Sequence, residues 1–114
     1  MSNELIARLE AAEVGSRELD AYVECASHGW HIAGWNAGWY LAEVCGAVQQ
    51  MPPPFPYTTS LDAAIALAIR LFGEVAALDL LYQVLGWSKP SVRSLPIALC
   101  IAILRALDAQ GQGD

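Results

Sequence analysis

Apolar residues recur every three or four positions along the first thirty residues, a spacing typical of amphipathic helices. The first such segment ends near Gly15, and the second begins after Ser16 and ends at Gly29. Serine is a favoured residue before a helix and glycine a favoured residue after one. We therefore predict helices over residues 3–14 and 17–28, joined by a turn short enough to pack them as a hairpin.

The pattern from Trp30 to Gln50 is ambiguous. One helical face would carry four apolar residues: Ile32, Trp35, Trp39 and Ala42. Three glycines in this segment each lower the helix propensity by about 1 kcal/mol. Residues 30–40 are therefore open to helix, strand or loop, whereas residues 40–50 are predicted to be helical.

The second half of the chain is strongly apolar and predicts further helices. A proline-rich stretch, Met51–Pro56, precedes it and is typical of extended chain. Helical spacing then runs over residues 61–85, with a break near Gly73, and over residues 96–109. Arg70 is the only charged residue between Asp62 and Glu74, so we expect Leu61–Phe72 to be the central helix, buried on most sides.

Together these patterns predict a mainly α protein. We expect a compact bundle of about five helices, over residues 3–14, 17–28, 40–50, 61–85 with the break near 73, and 96–109. A small sheet near residues 30–40 and 55–59 is compatible with the pattern. One domain is expected over residues 1–110, followed by a flexible tail at 111–114, since a chain of 114 residues suits a single domain.

Composition and charge change the functional picture more than the structural one. The chain is 55% apolar with a net charge of −6 at pH 7. A chain this short leaves much of its surface exposed, so a homodimer or a bound partner is an economical way to cover apolar area, and a well-buried monomer is the equal alternative. Nucleic-acid binding is not expected, because it needs clustered lysine and arginine. Up to Met51, seven carboxylates stand against two arginines, and this acidic half could approach a basic partner, although a charge bias of this size more often only keeps an apolar protein soluble.

We expect a cytoplasmic protein. The N-terminal sequence lacks the basic region and apolar run of an export signal. The most apolar stretch, Leu95–Leu104, is about half the length that crosses a bilayer. Three cysteines without paired spacing fit a reducing compartment.

Few residues indicate catalytic or metal chemistry. Cys25, His28 and His31 stand at steps of three, which on a continuous helix would bring zinc-binding side chains together. However, Gly29 interrupts the set, and the sequence supplies no obvious fourth ligand. A packed cysteine beside two histidines at a helix end is the favoured interpretation. We therefore expect no metal, no cofactor and no enzymatic activity.

Four Gly-Trp pairs are the most unusual feature of the chain. Tryptophan and tyrosine are enriched at binding hot spots, although the same residues can complete the core of a small domain. Acidic residues of the first half are the second candidate for recognition. The predicted protein-binding residues are Trp30, Trp35, Trp39, Tyr40, Trp87, Glu18, Asp20 and Glu24.

Three motifs occur in order along the chain and cover roughly a third of it. They are LIARLEAA at residues 5–12 leading to SRELDA at 16–21, then YTTSLDAA at 57–64, and PIALCIAILRAL at 96–107. In order and spacing these motifs resemble a family of small phage and prophage proteins of unknown role with an αβα-type sandwich. The family's Gly-Trp pair usually follows the SLDAA helix closely. Here Gly86-Trp87 stands later, so the implied sheet is expected to be reduced or absent.

The resemblance implies a mobile-element origin and a bacterial cytoplasm, and it supplies no catalytic residues. By analogy with anti-CRISPR and similar anti-defence proteins, the leading hypothesis is a non-enzymatic binder that inhibits a host protein or complex. An oligomeric sponge for a nucleotide-like signal is the second hypothesis. A structural or virion-associated protein is the third.

Overall fold

The computed structural model describes residues 3–12, 14–36, 39–86 and 95–112. In these residues the chain forms five helices and a three-stranded antiparallel sheet. The elements in order are α1 (Asn3–Ala11), α2 (Arg17–His28), β1 (His31–Asn36), β2 (Trp39–Val44), β3 (Ala47–Met51), α3 (Leu61–Phe72), α4 (Glu74–Leu85) and α5 (Leu95–Gln112). The fold is therefore mainly helical with a small sheet inserted between the second and third helices.

The ends of the helices follow from single residues. The Ser16 hydroxyl accepts a hydrogen bond from the Leu19 amide at the start of α2, and Gly29 ends this helix in the left-handed conformation. Ser60 caps α3 in the same way, and Gly73, with a φ of 90°, separates α3 from α4. These features confirm the predicted helix over 17–28 and the predicted break within 61–85.

The other predicted boundaries shift. α1 ends at Ala11 instead of residue 14. α5 begins at Leu95 and continues to Gln112. The predicted flexible tail at 111–114 is therefore helical at its first two positions, and its last two lie outside the described residues.

The predicted helix over residues 40–50 is wrong, because this segment forms the β2–β3 hairpin. Cys45 and Gly46 connect the two strands, and both have positive φ angles, 54° and 85°. Two such residues form the primed turns that match the twist of a hairpin. A helix cannot pass through two consecutive left-handed residues. The sheet predicted near residues 30–40 exists, but residues 55–59 form a turn and not a strand.

The strand order is β1-β2-β3, with both neighbouring pairs antiparallel. Trp35 lies opposite Tyr40 in β2, and Tyr40 lies opposite Met51 in β3. The β1–β2 register shifts between Ile32 and Gly34, which marks a bulge, whereas the β2–β3 register is continuous. α2 packs against β1, so the helical layer covers the sheet from this side.

α5 is the central helix, and the expectation that Leu61–Phe72 holds this place is wrong. Every residue of α5 from Ile97 to Leu104 is buried. α1, α2, α3 and α4 all contact α5. A smaller apolar cluster joins α2 to the sheet through Ala21, Cys25, Tyr40 and Ala42. No helix within the described part of the chain is long and apolar enough to cross a membrane.

The β2–β3 turn gives a first testable prediction. Cysteine is strained at a φ of 54°, whereas asparagine tolerates this conformation and is preferred in type I′ turns. We expect Cys45→Asn to raise the free energy of unfolding by about 0.5–1 kcal/mol, measured by urea denaturation. The same substitution at buried Cys25 in α2 is the control and should destabilise the protein. A loss of stability in Cys45→Asn would contradict the assigned turn.

Candidate interaction surfaces

The three predicted acidic binding residues have different environments. Glu18 is exposed, and its carboxylate lies 3.1 Å from the Arg8 guanidinium. Asp20 is buried, and its Oδ1 accepts hydrogen bonds from the Thr58 amide at 2.7 Å and the Thr58 hydroxyl at 2.6 Å. The Asp20 side chain therefore joins α2 to the turn before α3 and is not available to a partner.

Glu24 connects three parts of the fold. Its carboxylate accepts a hydrogen bond from the Tyr57 hydroxyl and lies 2.9 Å from His28 Nε2. The Arg70 guanidinium of α3 approaches the same carboxylate to 3.8 Å. Since Glu24 is mostly buried under these partners, the acidic residues of α2 do not form one recognition surface.

The sheet separates the predicted aromatic residues. Because Trp35 lies opposite Tyr40, both point to the face that α2 covers, and the Tyr40 side chain is buried there. Trp39 precedes Tyr40 in the same strand and so points to the opposite face. Trp35 and Trp39 are both exposed but cannot form one continuous aromatic surface. Trp87 lies outside the described residues.

Trp30 belongs to a groove between α1, α2 and β1. Its indole stacks on the His28 ring with 4.2 Å between ring centroids. The groove has a volume of about 570 Å³ and a mostly apolar lining, in which Leu5, Ala26 and Ile32 lie beside the polar Glu4 and His31. At its rim, the Arg8 guanidinium lies 4.6 Å above the Tyr22 ring. The groove therefore suits an apolar side chain, since its arginine is already engaged.

The residues considered for metal or thiol chemistry do not come together. Cys25 is buried against the sheet, and burial raises the pKa of its thiol to about 11. A thiol with this pKa is neutral at pH 7, whereas nucleophiles and metal ligands are thiolates. His28 is paired with Glu24, and His31 lies on an exposed strand position. In the described ranges, no group of three His, Cys, Asp or Glu side chains could hold a metal ion.

α4 carries an apolar stripe that faces solvent. The stripe consists of Val75, Leu78, Tyr82 and Leu85, whose side chains are 78%, 56%, 74% and 57% exposed. The opposite side of the helix packs on the core through Ala77 and Val84. The steps of three, four and three residues place all four stripe residues along one line of the helix.

The α4 stripe is a surface that sequence reasoning missed. Its residues continue the helical apolar period of residues 61–85 and therefore look like a core face. Ala77 and Val84 form a second apolar face on the same helix, so the sequence pattern did not show which of the two faces is buried.

β3 is the second uncovered feature. It forms one edge of the sheet, and its residues from Ala47 to Gln50 are exposed. α2 packs on β1, at the other edge of the sheet.

No protein-family model, no curated protein and no solved structure shows a significant match to this chain. The α4 stripe and the β3 edge are therefore the basis of the functional proposals.

Proposed function

We propose that this chain is a non-enzymatic protein that binds another protein stoichiometrically through the α4 stripe. The observation that carries the proposal is the exposure of four large apolar side chains in line on one 12-residue helix. Single exposed apolar residues are common on protein surfaces, but a continuous apolar patch marks an interaction site.

The geometry of the stripe supports a helix-in-groove complex. Anchors at i, i+3, i+7 and i+10 match the way amphipathic helices lie in apolar grooves. Burying each anchor contributes about 1.5–3 kcal/mol before the costs of association. Glu74 and Asp79 are exposed on the same helix, so a groove with a basic rim is the complementary partner.

The narrower form of the proposal is a phage or prophage accessory protein that inhibits a host protein, in the manner of anti-CRISPR proteins. Support for this step comes from the motif resemblance and from the net charge of −6. The partner would then be a protein or complex of antiviral defence in a bacterial cytoplasm. Expression in a defended host should raise the plating efficiency of a phage that the defence restricts.

The nucleotide-sponge alternative has less support. Phosphate recognition needs basic side chains that are free to contact the ligand. Arg8, Arg70 and Arg105 each lie within 4 Å of a carboxylate, at 3.1, 3.8 and 3.6 Å. Of the other three basic residues, Arg17 is exposed on α2, and Lys89 and Arg93 lie outside the described residues.

A double substitution on the stripe tests the proposal. We expect Leu78→Glu with Tyr82→Glu to weaken partner binding at least 100-fold, because two charges would have to enter an apolar groove. The fold should survive, since both side chains are more than half exposed. The tagged protein is retained on a column and exposed to a host lysate. The mass of the eluted complex gives the stoichiometry, and the amount of partner that each variant retains compares their affinities.

The matched control adds two glutamates at exposed positions off the stripe, Ala66→Glu with Gln83→Glu. This variant has the same change in net charge and should bind like the wild type. Equal binding by both double variants would show that the stripe is not the interface. Failure to recover any stoichiometric partner from a defended host would overturn the proposed function.

A further inference from the structure

Within the part of the chain that the structure describes, the β3 edge lacks the features that normally keep a strand edge from pairing. Natural edges are protected by charged residues, proline, bulges or a covering element. β3 has the sequence AVQQM, with no charge and no proline, and its register with β2 contains no shift. β1, the other edge strand, carries a bulge.

The turn determines which backbone groups of β3 remain free. In a two-residue hairpin the closing pair, here Val44 and Ala47, exchanges both backbone hydrogen bonds. The bonded pairs then alternate along the strand, so Ala47, Gln49 and Met51 bond to β2. Val48 and Gln50 direct their N–H and C=O groups away from the sheet.

We propose that β3 pairs with β3 of a second copy of this chain, antiparallel about a two-fold axis at Gln49. In this register Val48 lies opposite Gln50 of the second copy, and the two residues exchange both backbone hydrogen bonds. The symmetry-related pair, Gln50 with Val48 of the second copy, adds two more hydrogen bonds. The free backbone groups of both residues are then satisfied in both copies. Pro52, which has no N–H, follows β3 and limits the ladder.

Side chains at the axis are compatible with this register. Gln49 faces Gln49 of the second copy, and two primary amides can each donate to and accept from the other. The pairing also extends a three-stranded sheet to six strands, within the usual range for stable sheets. A two-fold interface of this kind closes after two copies.

The net charge of −6 does not oppose the pairing locally. Glu43, which lies opposite Val48, is the one carboxylate among the residues of the three described strands. Three strand spacings separate it from Glu43 of the second copy, a distance of about 15 Å. At physiological ionic strength this is beyond the screening length of about 8 Å, so the repulsion is weak.

Disulfide trapping tests the register. In a Cys45→Asn background, which removes the exposed thiol, Gln49→Cys should give a covalent dimer under mild oxidation. Residues at the axis form a non-hydrogen-bonded pair with Cα atoms about 4.5 Å apart, which a disulfide can bridge. Gln50→Cys in the same background is the control, because its two copies are about 8 Å apart and should not link. Equal linking at both positions would overturn the register.

The wild-type chain provides the second test. Its mass in sedimentation equilibrium should rise from monomer to dimer with concentration, and the amide exchange of Val48 and Gln50 should slow in parallel. Val48→Lys should weaken dimerisation at least 10-fold, whereas Gln110→Lys, an exposed control with the same charge change, should not. The stripe variant Leu78→Glu with Tyr82→Glu should remain dimeric, which separates this inference from the proposed function.

Three results would overturn the inference. The first is a wild-type monomer at millimolar concentration. The second is a dimer that Val48→Lys leaves intact. The third is a dimer that the α4 stripe variant abolishes, which would assign self-association to α4.

Discussion

Replacing Gly15 with alanine is expected to lower the free energy of unfolding by about 3 kcal/mol. A Cβ atom at Gly15 would lie 2.3 Å from the Thr58 carbonyl oxygen and 2.5 Å from its carbonyl carbon. Backbone atoms cannot rotate away as a flexible side chain could. The α1–α2 connection and the turn before α3 must therefore separate.

Thermal and urea denaturation measure this loss directly. Gly34→Ala is the matched control, because its new Cβ would meet only Leu41 Cδ1 at 3.6 Å, an ordinary contact. We expect the control to change stability by less than about 1 kcal/mol. If the two alanine variants were equally stable, the close approach of Gly15 to Thr58 would be incorrect.

Replacing Asp20 with alanine is expected to cost about 2–3 kcal/mol. The Thr58 amide donates to Asp20 Oδ1, and without the carboxylate this buried N–H has no acceptor. The Thr58 hydroxyl can turn to the Ser16 carbonyl oxygen, 3.2 Å away, so it stays paired. Asp20→Asn keeps an oxygen in place for both donors and should cost about 1 kcal/mol. Similar losses in the two variants would show that these hydrogen bonds contribute little.

The same carboxylate gives a pH dependence. Burial raises the pKa of Asp20 above its usual 3.8, and the hydrogen bonds from Thr58 only partly offset this. In the pH window between the unfolded and the folded pKa, the folded state therefore binds more protons than the unfolded state. The contribution of Asp20 to stability is largest below pH 3.8 and falls as the pH rises through the folded pKa.

Comparison with the Asp20→Asn variant isolates this effect from the other carboxylates. The stability of the wild type relative to this variant should decrease as the pH rises from about 3.5, and then stay constant above the folded pKa. Urea denaturation at half-unit pH steps measures the difference. An increase over the same window would mean that the pKa of Asp20 is lowered by folding.

The hairpin was the main failure of prediction, although the sequence carried a signal for it. Tyr40 and Ala42 are buried and their neighbours are more exposed, a period of two that the helical spacing of Trp35, Trp39 and Ala42 obscured. Cys45-Gly46 can form the turn between two strands, but a single glycine is also tolerated inside a helix of low propensity. Short apolar runs fit either period until a partner strand is known.

Two of the predicted binding residues, Asp20 and Tyr40, are buried, for a reason that the sequence alone does not show. Asp20 and Tyr40 are residue types that recognise partners, but whether they do so depends on burial, which comes from distant parts of the chain. Asp20 is buried because Thr58, 38 positions away, lies against it. Trp35 and Trp39 are four residues apart and would share a helical face, whereas strand geometry places them on opposite faces of the sheet.

Local sequence alone determined both ends of α2 and of α3. Ser16, Ser60, Gly29 and Gly73 act on backbone groups within four residues, so their effect does not depend on the rest of the fold. Only the tertiary structure decided which apolar face of α4 is buried and which is exposed. Both faces are apolar, and the choice between them was made by the packing of α3 and α5, which no local pattern encodes.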